Sequence, residues 1–151
     1  MIPITRVLTA EHRMLTNLFD HIEAALPGIK RLTELRELGR LLEYLLRAHA
    51  GAEEDLLLVA LDHLPQLKPR CNKVYEEHHE IDSRLTKLYQ TRDLANARSL
   101  LMAAMNASRK HFLHEERVVF PLIEREEKQA TLAKLGAIWI RRRHITTNWS
   151  H

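Results

Sequence analysis

The pattern His-x-x-x-Glu-Glu occurs twice in this chain, as His49-Ala50-Gly51-Ala52-Glu53-Glu54 and as His111-Phe112-Leu113-His114-Glu115-Glu116. Each copy runs into an apolar stretch, LLLVAL after the first and VVFPLI after the second. A Glu-His element precedes each copy: Glu11-His12-Arg13-Met14-Leu15 and Glu77-His78-His79-Glu80-Ile81. The order EH, HxxxEE, EH, HxxxEE reads as a duplicated two-helix unit, its copies offset by 66 and 62 residues. One HxxxE among ten histidines is unremarkable in a chain with 15 glutamates, whereas two HxxxEE motifs in register are far beyond chance.

The sequence around the motifs has a helical period. Leu8, Leu15, Leu18, Phe19, Ile22 and Leu26 recur every three to four residues from about Thr5 to Leu26, with His12 in the same stripe. Pro27-Gly28 ends that segment. A second helix is predicted from about Leu32 to Leu61, interrupted on its apolar face by His49 and Glu53. After a connection containing Pro65 and Pro69, Cys71, Val74, His78, Ile81, Leu85 and Leu88 outline a third. A fourth is expected to start after Thr91, a plausible cap, and to run to Val119, with Pro121 ending or kinking it. A shorter fifth spans about Gln129 to Arg143. Only four glycines and five prolines interrupt the chain, and no segment has a strand period. The fold expected is all-α: an up-down-up-down four-helix bundle with a short fifth C-terminal helix. At 151 residues this is one domain, the bundle over about 4–126 and the extra helix over about 129–143.

Composition removes several alternatives. Lys and Arg exceed Asp and Glu by 23 to 20, and Arg141, Arg142 and Arg143 account for the whole excess. The basic balance is thus local to the tail, where arginines favour a helix C-terminus through its dipole, and nucleic acid is not expected as a partner. No apolar run approaches the length of a membrane span, and the N-terminus lacks the plan of a secretory signal, so a soluble, cytoplasmic protein is the default. Cys71 alone permits neither an intramolecular disulfide nor a cysteine-based cluster, and it reads as a packing residue.

Residues four apart stack on one face of a helix. His49 with Glu53, and His111 with Glu115, can therefore address one inward site, and His12 and His78 from the other two helices complete it. Four imidazoles and two carboxylates suit iron, manganese, cobalt or zinc, and carboxylates can bridge two cations. The alternative is a structural network of satisfied polar side chains, although burying unpaired carboxylates and imidazoles is costly.

The motifs EH, HAGAEE, EHHEI and HFLHEERVVFPLI resemble those of hemerythrin-like HHE cation-binding proteins, over about Ile4 to Trp139. That resemblance implies a four-helix bundle around two non-haem iron ions with an oxo or hydroxo bridge, with manganese or zinc as substitutes. It assigns His12, His49, His78 and His111 as terminal ligands and Glu53 and Glu115 as bridging carboxylates. The oxygen-carrying members usually place two histidines one turn apart in the third helix. Here Val74 and Asp82 flank His78 at that spacing, so either Asp82 supplies a carboxylate or one metal keeps an exchangeable position. Simple reversible oxygen carriage is thereby put in doubt.

Other candidates are secondary. His79 points about 100° away from His78; its Glu76-x-x-His79 spacing resembles ferritin-like sites, but the HxxxE order argues against that scheme. His114, one turn from His111, is a candidate partner to a ligand or a surface residue. Tyr75 fills core space or hydrogen-bonds a metal-bound group. Glu54 and Glu116 fall off the ligand face and read as solvated, the alternative being that they accept hydrogen bonds from groups around the ligands; His21, His63, His144 and His151 read as surface, loop or tail. The function expected is a di-iron protein that binds or reacts with O2, NO or peroxide, as sensor, scavenger or oxidoreductase. The alternatives are an iron storage, delivery or repair module and a metal-free helical interaction protein. Monomer and homodimer are both compatible with the sequence.

Overall fold

The structure, a computed structural model, describes residues 1–143. Its four long rods are those expected from the periodicity. Helix α1 spans Ile4–Ala25, and a single 3-10 turn at Leu26–Gly28 closes it. Helix α2 spans Leu32–Ala52 and continues through a wide π-helical segment, Glu53–Leu58. Helix α3 spans Lys68–Gln90, entered through a 3-10 turn at Pro65–Leu67. Helix α4 spans Leu94–His114, followed without a break by a π-helical segment at Glu115–Val119 and by α5, Phe120–Glu126. Helix α6, Gln129–Arg142, is the short additional helix. The architecture is a hemerythrin-like up-down-up-down bundle with a shorter helix packed on α1.

Two local details differ from expectation. The cap of α4 is Asp93 rather than Thr91: the Asp93 carboxylate accepts from the Asn96 backbone N–H at 2.8 Å. Thr91 instead supports the approach, its hydroxyl accepting from the Asn96 amide at 3.0 Å. Pro121 does not terminate the rod either. It sits in the first turn of α5, where proline is tolerated, and the chain leaves helix only at Glu127.

The apolar stripes form two cores, one above and one below the duplicated motifs. Phe19, Leu42, Leu85, Leu88, Leu101 and Met105 fill the upper one. Leu8, Leu57, Val74, Phe120, Leu132 and Trp139 fill the lower. Along each rod the histidines and glutamates fall between these layers: Leu8–His12–Leu15, Leu46–His49–Glu53–Leu57, and Val74–His78–Ile81. Apolar packing thus borders the polar layer above and below.

Helix α6 is seated closely. A Cβ at Gly136 would run into the Ile2 carbonyl oxygen, which is backbone and cannot swing aside. Gly51, in α2, has nothing within 4 Å of an added Cβ. Calorimetric melting should separate the two. Gly136→Ala is expected to cost about 1–3 kcal/mol by overpacking, whereas Gly51→Ala should gain about 0.5–1 kcal/mol of helix stability. Equal effects would contradict the seating of α6.

Candidate metal centre

Each HxxxE spacing puts its histidine and glutamate one turn apart on the inward face, and the neighbouring rods supply one histidine each. Six side chains meet as a result. His12, His49 and His111 are 2% exposed, Glu53 and Glu115 1%, and His78 remains largely buried. Both wide turns begin at the inner glutamates, Glu53 and Glu115, so the backbone departs from regular α-helix at equivalent points of the two repeats.

Two overlapping donor groups result. The first is His12, His49, Glu53 and Glu115; the second is Glu53, His78, His111 and Glu115, and within each group the donor atoms lie within 4.8 Å of one another. The two glutamates are common to both groups, whereas each pair of imidazoles belongs to one. His12 Nε2 lies 3.1 Å from His49 Nε2, and His78 Nε2 lies 3.0 Å from His111 Nε2. The inner carboxylates follow the same pseudo-twofold arrangement. Glu115 Oε2 is 3.2 Å from His12 Nε2, and Glu53 Oε2 is 3.2 Å from His78 Nε2.

Four further glutamates surround this set, and their arrangement was not legible in the spacing. Glu116 accepts from His12 Nδ1 at 2.9 Å, and Glu11 from His49 Nδ1 at 2.8 Å. Glu54 accepts from His78 Nδ1 at 2.7 Å, and Glu77 from His111 Nδ1 at 2.7 Å. The pairing is cyclic: each rod sends a carboxylate to the histidine of the next, and the fourth returns one to the first. For Glu54 and Glu116 the solvated face is thus corrected in favour of the alternative, hydrogen bonding around the ligands. Each is about one-third exposed and still holds an imidazole, because a residue adjacent to an inward ligand points along the seam with a neighbouring helix. Glu11 and Glu77 carried a signal in the repeated EH dipeptide itself.

This ring sets the chemistry of the inner atoms. An ionised carboxylate only accepts hydrogen bonds, so each Nδ1 bears a proton, and an imidazole in its neutral form presents the Nε2 lone pair inward. Lone pairs 3.0–3.1 Å apart repel one another unless a cation or proton lies between them. Ligands bound at right angles about 2.1 Å from a shared ion stand about 3.0 Å apart. Both Glu53 oxygens and Glu115 Oε2 are buried without an aligned hydrogen-bond partner, a costly state for ionised groups. The donor set therefore fits a pair of metal ions.

Titration behaviour reflects the same crowding. Burial, reinforced by the neighbouring His49, depresses His12 to about 3. Burial also lowers His111, against the pull of Glu77. For His78 burial is outweighed by Glu53 and Glu54, which raise it. Burial and the adjacent Glu53 push Glu115 well above the carboxylate range. Burial would raise Glu53 too, but the surrounding imidazoles hold it at about 2. Without a metal the two inner carboxylates resist ionising together, and burial with the adjacent Glu53 favours the neutral form of Glu115.

The other candidates lie outside the six. Asp82 does not enter either donor group: it turns outward to accept from Arg47 Nε at 2.8 Å, and is 40% exposed. A guanidinium on the neighbouring helix offers it a charged partner in water, which is less costly than a third buried carboxylate. His79 and Tyr75 line a cavity beside His78 without joining the cluster. His114 Nδ1 contacts Glu77 at 3.2 Å, so it braces the carboxylate that holds His111. His63 pairs with Glu127 at 3.1 Å, away from the cluster. His144 and His151 lie outside the described residues.

The arginines at the end of α6 also do more than complement a helix dipole. Arg142 reaches Asp55 at 3.3 Å. Arg143 stacks over Trp139 at 4.2 Å and donates through Nε to Glu11 at 2.9 Å. Burial would raise Glu11, but hydrogen bonds from His49 and Arg143 lower it. The short helix thus braces one of the four outer carboxylates.

A helical bundle whose centre gathers four imidazole donors and two shared, buried carboxylates defines the class: a four-helix bundle with a clustered His/Glu site suited to metal ions. The chain belongs to the Hemerythrin HHE cation binding domain family, whose pattern matches residues 4–123. Searches of curated proteins and of solved structures each gave no significant match. Among the described residues no helix is long and apolar enough to cross a membrane.

Proposed function

We propose that the protein holds two iron ions at this centre and binds or reacts with a small ligand such as O2, NO or peroxide, in a sensing, scavenging or oxidoreductase role. The observation that carries the reading is the pair of donor groups, each with two Nε2 atoms, sharing two buried carboxylates of which three oxygens have no aligned hydrogen-bond partner. His12 and His49 would hold one ion, His78 and His111 the other, and Glu53 and Glu115 both. An iron pair, when bound, supplies redox chemistry toward such ligands. The chain's own contribution is to fix the imidazole tautomers through the four outer carboxylates and to border the centre above and below with apolar side chains.

Protein expressed in iron-replete medium, analysed for metal, then reduced anaerobically and exposed to O2 or NO, tests the reading. The visible spectrum should change with at least one gas; a spectrum indifferent to both would sink it. Ligand assignment is tested separately by metal content. His111→Ala should lower it, Glu77→Gln should weaken affinity by about 10–100-fold through the loss of its grip on His111, and His63→Ala should leave it unchanged. Equal content in all three variants would refute the assignment.

A further inference from the structure

The two halves of the repeat differ sharply just after their histidines. At the 62-residue offset, Ala50, Gly51 and Ala52 stand where the second copy has Phe112, Leu113 and His114. The Phe112 ring lies almost parallel on the His12 imidazole, with centroids 4.1 Å apart and an interplanar angle of 12°. Its counterpart, a ring on His78, would have to come from position 50, which is alanine. Gly51 beside it faces open space.

That space is a cavity of about 340 Å³ between α2 and α3. His49, His78 and His111 are in its lining, and Leu46, Ile81, Leu85 and Phe112 form buried apolar walls. Its volume comfortably exceeds the roughly 150 Å³ that suffices for benzene in an apolar cavity. Across the mouth Arg47 reaches Glu43 at 2.9 Å and Asp82 at 2.8 Å. Glu54 adds a third carboxylate to the lining against that single guanidinium, so the entrance disfavours anions. Tyr75, half-exposed, offers a phenolic hydroxyl there. Asp82, which stands one turn after His78, leaves this space free by turning out to Arg47.

We propose that the cavity binds an uncharged, ring-sized organic molecule, seated on the His78 imidazole as the Phe112 ring is seated on His12. The cavity borders the metal donors, with His49, His78 and His111 in its lining, while its apolar walls come from residues outside the donor set.

Calorimetric titration of the purified protein with phenol, which is neutral at pH 7, tests it, with benzoate as an anion of similar size. Phenol should bind saturably, and benzoate at least about tenfold more weakly. Ala50→Phe should supply the missing ring from the protein itself and weaken phenol by at least about tenfold, with metal content unchanged. Gly51→Leu, which points a side chain into open space, is the second variant should Ala50→Phe fold poorly. A crystal soaked in phenol should show the ring over His78. Absence of saturable phenol binding, or binding undiminished in both variants, overturns the proposal, and equal affinity for benzoate overturns its restriction to uncharged ligands. Because metal content is read independently, loss of the metal reading would leave this result standing, and the converse holds too.

Discussion

Glu115→Gln is expected to give two effects of opposite sign: loss of metal and a more stable metal-free protein. Glu115 belongs to both donor groups, so its replacement by a neutral amide should reduce the bound metal to less than half of the wild-type content. In the metal-free protein the same change removes a buried acid that would have to ionise against Glu53 as pH rises, and the amide donates there without ionising. The gain should be on the order of 1–3 kcal/mol, the cost of an unsatisfied buried polar group. Its pH dependence follows from the raised Glu115 carboxyl. A group raised in the folded state contributes stability that is complete below its unfolded value and is lost as pH rises through the folded one. Wild type therefore loses ground as pH rises from about 4.5 and the neutral variant does not, so the difference should widen toward neutral and alkaline pH. Denaturant titrations of chelated protein at several pH values, with metal analysis of unchelated samples, measure both effects. A variant that keeps its metal, or that is less stable than wild type when both are metal-free, would contradict this role.

Removal of the metal from the wild-type protein should produce the largest change in melting temperature. Metal binds the folded centre and not the dispersed ligands of the unfolded chain, so occupancy adds to folding stability. At a free ion concentration about a thousand times the dissociation constant the gain is roughly 4 kcal/mol. For a chain of this size that corresponds to about 8–16 °C in Tm. Scanning calorimetry before and after verified chelation measures the difference. An unchanged Tm would mean that the two buried carboxylates are satisfied in some other way.

Much of this centre is written in local sequence. Leucine periodicity, the Pro27-Gly28 break and the scarcity of glycine specify the rods, because each is a property of a single helix. The HxxxE spacing likewise fixes which histidine and glutamate share a face. What escapes is everything that depends on the identity of the neighbour. Glu54 and Glu116 sit beside inward residues, and whether such a position meets water or an imidazole depends on the helix across the seam. Asp82 has the spacing of a ligand, yet Arg47 on α2 draws it outward. The three arginines look like a helix terminus until α6 is docked, when Arg143 is found on Glu11.

The sequence by itself thus determined the four rods, the six inner side chains and the doubling of the motif, since all of these rest on the 3.6-residue repeat of the helix. Only the tertiary structure decided how the rods' outer carboxylates pass from one to the next around the centre, that α6 braces one of them, and that the second copy's phenyl ring has no counterpart beside His78. Those features arise from contacts between residues far apart in the chain. Their distances and orientations exist only once the helices have packed.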